Sequence, residues 1–134
     1  MKVSIIGASG YTGGELLRIL YRHKNVELDK VISNTYKDKK VSELFPNFKS
    51  ILDIKFTGTE NLDKDLKNSE AVFLAVPHKA AMQYVPELIK SGKKVIDLSA
   101  DFRLDKKSVY EDWYKVEHTA EELFEKSVYG LPEI

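Results

Sequence analysis

Glycine recurs at Gly7, Gly10 and Gly13, with Ser9, Tyr11 and Thr12 in the intervals. Glycines at this spacing let a chain turn sharply and bring backbone N–H groups close to an anion, and a helix that starts there adds its positive end. The chemistry this suits is the grip on a dinucleotide pyrophosphate, with the whole turn from Gly7 to Gly13 taking part. A plainer reading leaves a structural turn in which Thr12 and Glu15 form a capping box. The setting between strand and helix favours the dinucleotide.

A second group concerns the ribose. In dinucleotide folds a second strand ending in Asp or Glu about 20 residues past the glycines holds the 2′-hydroxyl of NAD, and that carboxylate repels a 2′-phosphate. Here the strand ends Val31-Ile32-Ser33, and Asn34, Thr35, Lys37, Lys39 and Lys40 follow. Ser33 and Lys37 suit a phosphate, so NADP (NADPH) is expected over NAD. Against this stand a merely solvated lysine loop, and Asp29 or Glu27 as ribose ligands if the strand ends earlier.

His78 follows the apolar run Ala71 to Val76, where it either meets a cofactor or stands exposed at a helix entry. Ser99, Asp101 and Arg103 follow a later strand, and a hydroxyl, a carboxylate and a guanidinium suit anion handling. The plain alternative is an Asp101–Arg103 surface pair. His23 and His118 lack partners at metal-ligand spacing and read as helix-end and surface residues; no metal site is expected. Tyr110, Trp113, Tyr114 and Tyr129 read as core and rim packing. Cysteine is absent, which removes thiolate nucleophiles and thiolate metal sites.

Alternating strands and helices must position these groups. Residues 2 to 7 read as a buried strand, and Leu16, Leu17, Leu20 and Tyr21 as one stripe of the helix after the turn. Val26 to Ser33 reads as a second strand, 34 to 50 as an irregular excursion with one short helical turn, and Ile54 to Thr57 as a third strand. Ala71 to Val76 is a strand covered on both faces, and the next helix carries Met82, Val85, Leu88 and Ile89 up to Ser91-Gly92, with Pro86 as a possible break. Lys94 to Leu98 is another strand. Beyond Asp101 the alternation becomes irregular, with a capping box at Thr119 and Glu122 starting a short helix through Phe124. The expected architecture is α/β: a Rossmann-like, doubly wound, mostly parallel sheet with helices on both faces, one domain over residues 1 to 134.

The 134 residues balance 21 Lys and Arg against 21 Asp and Glu, so no excess positive charge points to nucleic acid or anionic lipid. No apolar run approaches the roughly 18 residues of a membrane span, and the first is too short for a signal peptide. A cytoplasmic location is expected.

Three stretches carry a family resemblance: Gly7-Ala8-Ser9-Gly10-Tyr11-Thr12-Gly13-Gly14-Glu15-Leu16, Val95 through Leu104 with its Leu-Ser-Ala-Asp-Phe-Arg-Leu string, and Tyr129-Gly130-Leu131-Pro132-Glu133. Together with Val76-Pro77-His78 they resemble N-acetyl-γ-glutamyl-phosphate reductases. The resemblance implies NADPH-dependent reduction of an acyl phosphate to a semialdehyde, with release of phosphate, in arginine biosynthesis. It implies that the turn from Gly7 to Gly13 holds pyrophosphate, that Ser33 and Lys37 hold the 2′-phosphate, that His78 and Ser99 lie near the nicotinamide, and that Arg103 serves the substrate phosphate. It also implies a catalytic Cys and His beyond Ile134, so that these residues form the cofactor-binding part of a longer, homo-oligomeric enzyme and do not turn over alone. A close branch reduces aminoadipyl phosphate in lysine biosynthesis, sometimes carried on a small protein. A stand-alone NADP-binding module is the alternative from another functional class.

Overall fold

The structure is a computed structural model describing residues 1–130. Leu131, Pro132 and Glu133 of the third matching stretch lie outside the described residues. Strands β1 (Lys2–Ile6), β2 (Glu27–Ile32), β3 (Phe56–Thr57), β4 (Ala71–Leu74) and β5 (Lys94–Asp97) form one sheet in the order β3-β2-β1-β4-β5. All the strand pairings are parallel. The chain therefore winds outward from β1 in one direction, then returns to start again at β4, and the order reverses between those two strands. A parallel sheet needs a crossover at each step, and the crossovers cover both faces.

Side-chain alternation sorts the strand residues between two cores. Val3 and Ile5 of β1 face α1 (Tyr11–Leu20), where they meet Leu16, Leu17 and Leu20, with Val41 and Phe48 closing the same core. Ile6, Val72 and Leu74 face the other way, onto Met82, Val85 and Leu88 of α4 (Ala81–Lys90) and onto Tyr110, Leu123 and Phe124. The excursion at 34 to 50 holds α2 (Val41–Leu44) and a 3-10 turn, Pro46–Phe48, both anchored by buried residues. Pro86 lies inside an unbroken α4.

Strand β2 departs from simple alternation. Val3 pairs with Leu28 but Ser4 with Lys30, so Asp29 is an extra residue in the ladder. The buried Ser4 hydroxyl accepts the Lys30 N–H at 3.0 Å and shares a hydrogen bond with Ser69 Oγ at 2.7 Å, while Ser69 Oγ lies 2.8 Å from the Asp29 carboxylate. The bulge lets Leu28 and Val31, three residues apart, face the same core.

α5 (Lys107–Tyr114) lies after β5, where the sequence suggested irregular chain, and α3 (Leu62–Asp65) precedes β4 in a stretch to which the sequence assigned no element. Glu121–Lys126 is a 3-10 helix whose N-cap is Ala120 with no side-chain cap, so the expected Thr119–Glu122 box does not form. β5 is not covered on both faces: Ile96 is 38% exposed, and Leu98, just beyond the strand, 46%. Among the described residues no helix is long and apolar enough to cross a membrane.

The two sides of α1 differ sharply, since Leu17 is fully buried and Ile19 is half exposed. Leu17→Ala is expected to cost about 2–5 kcal/mol and Ile19→Ala about 0.5 kcal/mol or less. Urea unfolding followed by circular dichroism measures both.

Candidate functional site

Because every strand is parallel, the segments that leave β1, β2, β3, β4 and β5 all emerge at one edge of the sheet. The crevice lies where the order reverses, between the ends of β1 and β4. Gly7 sits there with φ +84°, and a Cβ on it would overlap the Ala75 carbonyl at the end of β4. Its N–H and that of Ala8 both donate to the Ile32 carbonyl, at 3.0 and 3.1 Å, which ties the turn to the end of β2. A Cβ on Gly13 would lie 2.6 Å from Ala8 Cα, so α1 rests its backbone directly on the turn.

Gly10 differs from its neighbours. A Cβ there would meet only the Gly7 carbonyl oxygen, at an ordinary 3.6 Å. The fold needs glycine at 7 and 13 and has no steric need of it at 10. Gly10 is the N-cap of α1 and no side chain caps it. The Thr12–Glu15 capping box does not form; Glu15 pairs with Arg18 instead, which holds its carboxyl below the usual range. Thr12 is exposed and Tyr11 wholly so, which leaves an open, positive helix start.

At the end of β2, Ser33 is buried and its hydroxyl lies 2.8 Å from Ser9 Oγ, joining two predicted site residues. Ser33 Oγ also accepts the Tyr36 N–H at 3.3 Å. Lys37 reaches the edge but is paired with Glu60 at 2.8 Å, and Lys40 is paired with Asp53 at 2.7 Å. Lys39 lies over the Tyr36 ring. The strand runs to Ile32, so Asp29 and Glu27 do not stand at its carboxyl end. Asp29 is held in the bulge by Ser69, and Glu27 pairs with Lys2 at the opposite end of the sheet.

On the β4 side His78 is exposed, its ring centroid 5.5 Å from that of Tyr114. Ser99 Oγ donates to Asp97 Oδ2 at 2.9 Å and accepts the Asp101 N–H at 3.2 Å, so its hydroxyl is oriented by the loop. Burial pushes the Asp97 carboxyl up, and the two bonds from Ser99 oppose that shift. Ser99 and Arg103 line an open groove of about 760 Å³ with Asp97, Leu98, Phe102 and Tyr129.

Asp101 and Arg103 do not form the expected pair. Arg103 is exposed and its guanidinium points to Tyr114 Oη at 3.4 Å. Asp101 is fully buried and takes over the cap that Ala80 cannot supply: Oδ2 accepts Ala81 and Met82 N–H at 3.0 and 3.4 Å, and Oδ1 accepts Lys79 N–H at 2.8 Å and Tyr110 O–H at 2.9 Å. A buried carboxylate at a helix start is stabilised by those N–H groups and by the helix dipole. The arrangement fixes the turn of His78 and the left-handed Lys79 (φ 76°) at the crevice. Burial and then Asp101 push the Tyr110 phenol up, so it stays protonated and donates.

His118 is buried, 1% exposed, and is not the surface residue its sequence context suggests. Its ring sits among Phe102, Tyr110 and Phe124 at 5.1, 4.9 and 4.5 Å between centroids. Nδ1 accepts the Ala120 N–H, which leaves Nε2–H to donate to the Asp101 carbonyl at 2.9 Å. Burial lowers its pKa and holds the imidazole neutral. Tyr110 is core as expected, whereas Trp113 is 75% exposed. Neither the buried role of His118 nor the trans cap by Asp101 has a local sequence signal, because both depend on segments brought together by β4 and β5.

The family described as "Semialdehyde dehydrogenase, NAD binding domain" matches residues 2–134. A [LysW]-L-2-aminoadipate/[LysW]-L-glutamate phosphate reductase of Sulfolobus acidocaldarius is 46% identical over 134 residues, which are 100% of this chain and 38% of that protein. An N-acetyl-γ-glutamyl-phosphate reductase of Desulfotalea psychrophila is 49% identical over 136 residues, again 100% of this chain and 38% of the relative. Another of that name, from Methanopyrus kandleri, is 49% identical, covering 98% of this chain and 39% of its own length. The chain thus spans about two fifths of the relatives it matches. The aspartate semialdehyde dehydrogenase of Candida albicans, solved with NADP, shares the fold with a TM-score of 0.67 at 18% identity, over 79% of this chain and 31% of its own.

Two outcomes test the Asp101 centre. Asp101→Asn leaves one acceptor oxygen for several donors and is expected to cost about 2–4 kcal/mol in urea unfolding. Because the folded state depresses the His118 pKa, the unfolded chain takes up this proton first as pH falls below about 6.5, and stability is lost from there toward the lower folded value. The drop in urea midpoint between pH 7 and pH 5.5 is expected to shrink in His118→Phe.

Proposed function

This chain belongs to the semialdehyde dehydrogenase NAD-binding domain family, and from that membership we propose that it is the cofactor-holding part of an NADPH-dependent acyl-phosphate reductase. The observation that carries the reading is the turn at the crevice. Its two tight glycines are demanded by the fold, whereas Gly10, which the fold does not require sterically, leaves the helix start open with no side-chain cap. The donor set fits a dinucleotide: N–H groups at the start of α1 for the pyrophosphate, and Ser9, Ser33 and Lys37 at the ribose end.

In this reading Tyr11 and Thr12 border the pyrophosphate, and Ser33 with Lys37 takes the 2′-phosphate, so that NADP is preferred to NAD. His78 and Ser99 stand at the nicotinamide side. When bound, the cofactor supplies a hydride. The protein's own part there is positional: Asp97 and the Asp101 N–H orient the Ser99 hydroxyl, and Asp101 fixes the His78 turn. Arg103, exposed beside the groove, faces the phosphate of the substrate. The acyl-accepting thiolate and its histidine partner lie outside these 134 residues, which contain no cysteine.

The proposed reaction converts N-acetyl-γ-glutamyl phosphate to the semialdehyde and phosphate. Relatives named for aminoadipate and glutamate carried on LysW match about as well, which favours a carrier-linked aminoadipyl phosphate as the second reading. One methylene separates the glutamyl and aminoadipyl chains, a difference worth only about 1–3 kcal/mol in a pocket. The assembled enzyme is proposed to be a cytoplasmic homo-oligomer.

Titration of the full-length protein with NADPH and NADH tests the cofactor reading. NADPH is expected to bind more tightly, and Gly10→Val to abolish binding of both while the unfolding transition stays cooperative. Ser33→Asp is expected to weaken NADPH much more than NADH. Equal losses would remove Ser33 from the phosphate site, and retained binding in Gly10→Val would return the turn to a structural role.

A further inference from the structure

The ribose end of the site contains a carboxylate that the β2 sequence does not announce. Glu60 follows β3, two strands from the glycine turn, yet its carboxylate stands 2.8 Å from Lys37 Nζ. Three contacts hold it there. Ser33 N–H donates to the Thr57 carbonyl at 2.8 Å, and Thr59 donates to Asn34 Oδ1 from both its N–H (2.9 Å) and its hydroxyl (3.1 Å), so the loop after β3 is fastened to the loop after β2. Gly58 is buried, and a Cβ on it would overlap the Glu60 carboxylate, so the side chain folds back through the space that this glycine leaves.

We propose that Glu60 is a cofactor-selectivity residue, whose carboxylate competes with a ribose 2′-phosphate for Lys37 and offers an acceptor to a ribose 2′-hydroxyl. This rests on the cofactor reading above. The three lysines after Ser33 suggest a strongly cationic loop, but Lys37 and Lys40 each carry an acidic partner, which removes most of that field. A 2′-phosphate must draw Lys37 away from Glu60 and then tolerate the carboxylate nearby. A 2′-hydroxyl meets no such repulsion and can donate to the same oxygen atoms, the role that an acid at the end of the second strand plays in NAD-binding folds. Glu60 thus supplies from β3 what Ser33 does not supply from β2, and the pair admits both dinucleotides with a smaller preference for NADPH than the lysines alone would give.

The test measures dissociation constants of NADPH and NADH for the full-length protein by fluorescence titration, in wild type, Glu60→Gln and Lys37→Gln. Glu60 is exposed and Gln preserves its shape, and thermal unfolding by circular dichroism confirms that each variant is folded. Glu60→Gln is expected to increase the preference for NADPH over NADH about fivefold, the scale of one charge removed at contact distance near the surface. Lys37→Gln is expected to reduce that preference below the wild-type value. If both dinucleotides bind and Glu60→Gln leaves their ratio unchanged or lowers it, the selectivity role is overturned while the cofactor site stands. If the wild-type protein binds neither, the cofactor reading itself fails and the role of Glu60 goes with it.

Discussion

The molecule depends on a close approach of backbone to backbone at the end of β1. Gly7 lets the end of β4 come within contact of the turn, and Gly13 lets α1 lie directly on it, so the helix and the two central strands meet with no side chain between them. Ile32 joins the same knot through the two N–H groups that its carbonyl accepts. The seat of α1 on the turn and the closeness of the β1 and β4 ends both depend on that contact. The turn is tight where Gly7 and Gly13 sit and open at Gly10, where a Cβ would meet only the Gly7 carbonyl oxygen.

The other half of the crevice is organised by charge. Asp101 is buried without an ion-pair partner among the described residues, and backbone N–H groups, the Tyr110 phenol and a helix start take the place of a cation. Its carboxylate faces α4 while its carbonyl faces His118, so a single residue connects the β4 exit, the loop after β5 and the segment leading into the 3-10 helix. Polar groups buried in this way specify one arrangement, because any other would leave several of them unpaired.

How far the sequence foretold this depended on whether a signal was local. β1, the turn, α1, β4 and α4 carry apolar stripes or runs bounded by glycine or proline, and they appear within a residue or two of their expected limits. The parallel order follows from the same alternation. β2 was harder to read because Val26, Leu28 and Val31 break the two-residue period, and the bulge at Asp29 is the reason. α5 has a weak apolar stripe and an exposed Trp113, so its existence depends on Tyr110 reaching the core. In the site, the glycines, Ser33 and the loops holding His78 and Ser99 do gather at one edge. Spacing could not show the pairing of Lys37 with Glu60, the burial of His118 or the capping by Asp101, because each partner comes from a different strand exit.

The bulge in β2 also separates two kinds of position along that strand. Between Ser4 and Ile6 the ladder with Lys30 to Ile32 is in strict register, and this stretch determines where Ser33 emerges. Before it, the extra residue is taken up at Asp29, where the Ser4 hydroxyl accepts a main-chain N–H in the interrupted ladder. The strand therefore carries two registers: Lys2 and Val3 face Glu27 and Leu28, whereas Ser4 to Ile6 face Lys30 to Ile32, and the second register brings Ser33 out beside the glycine turn.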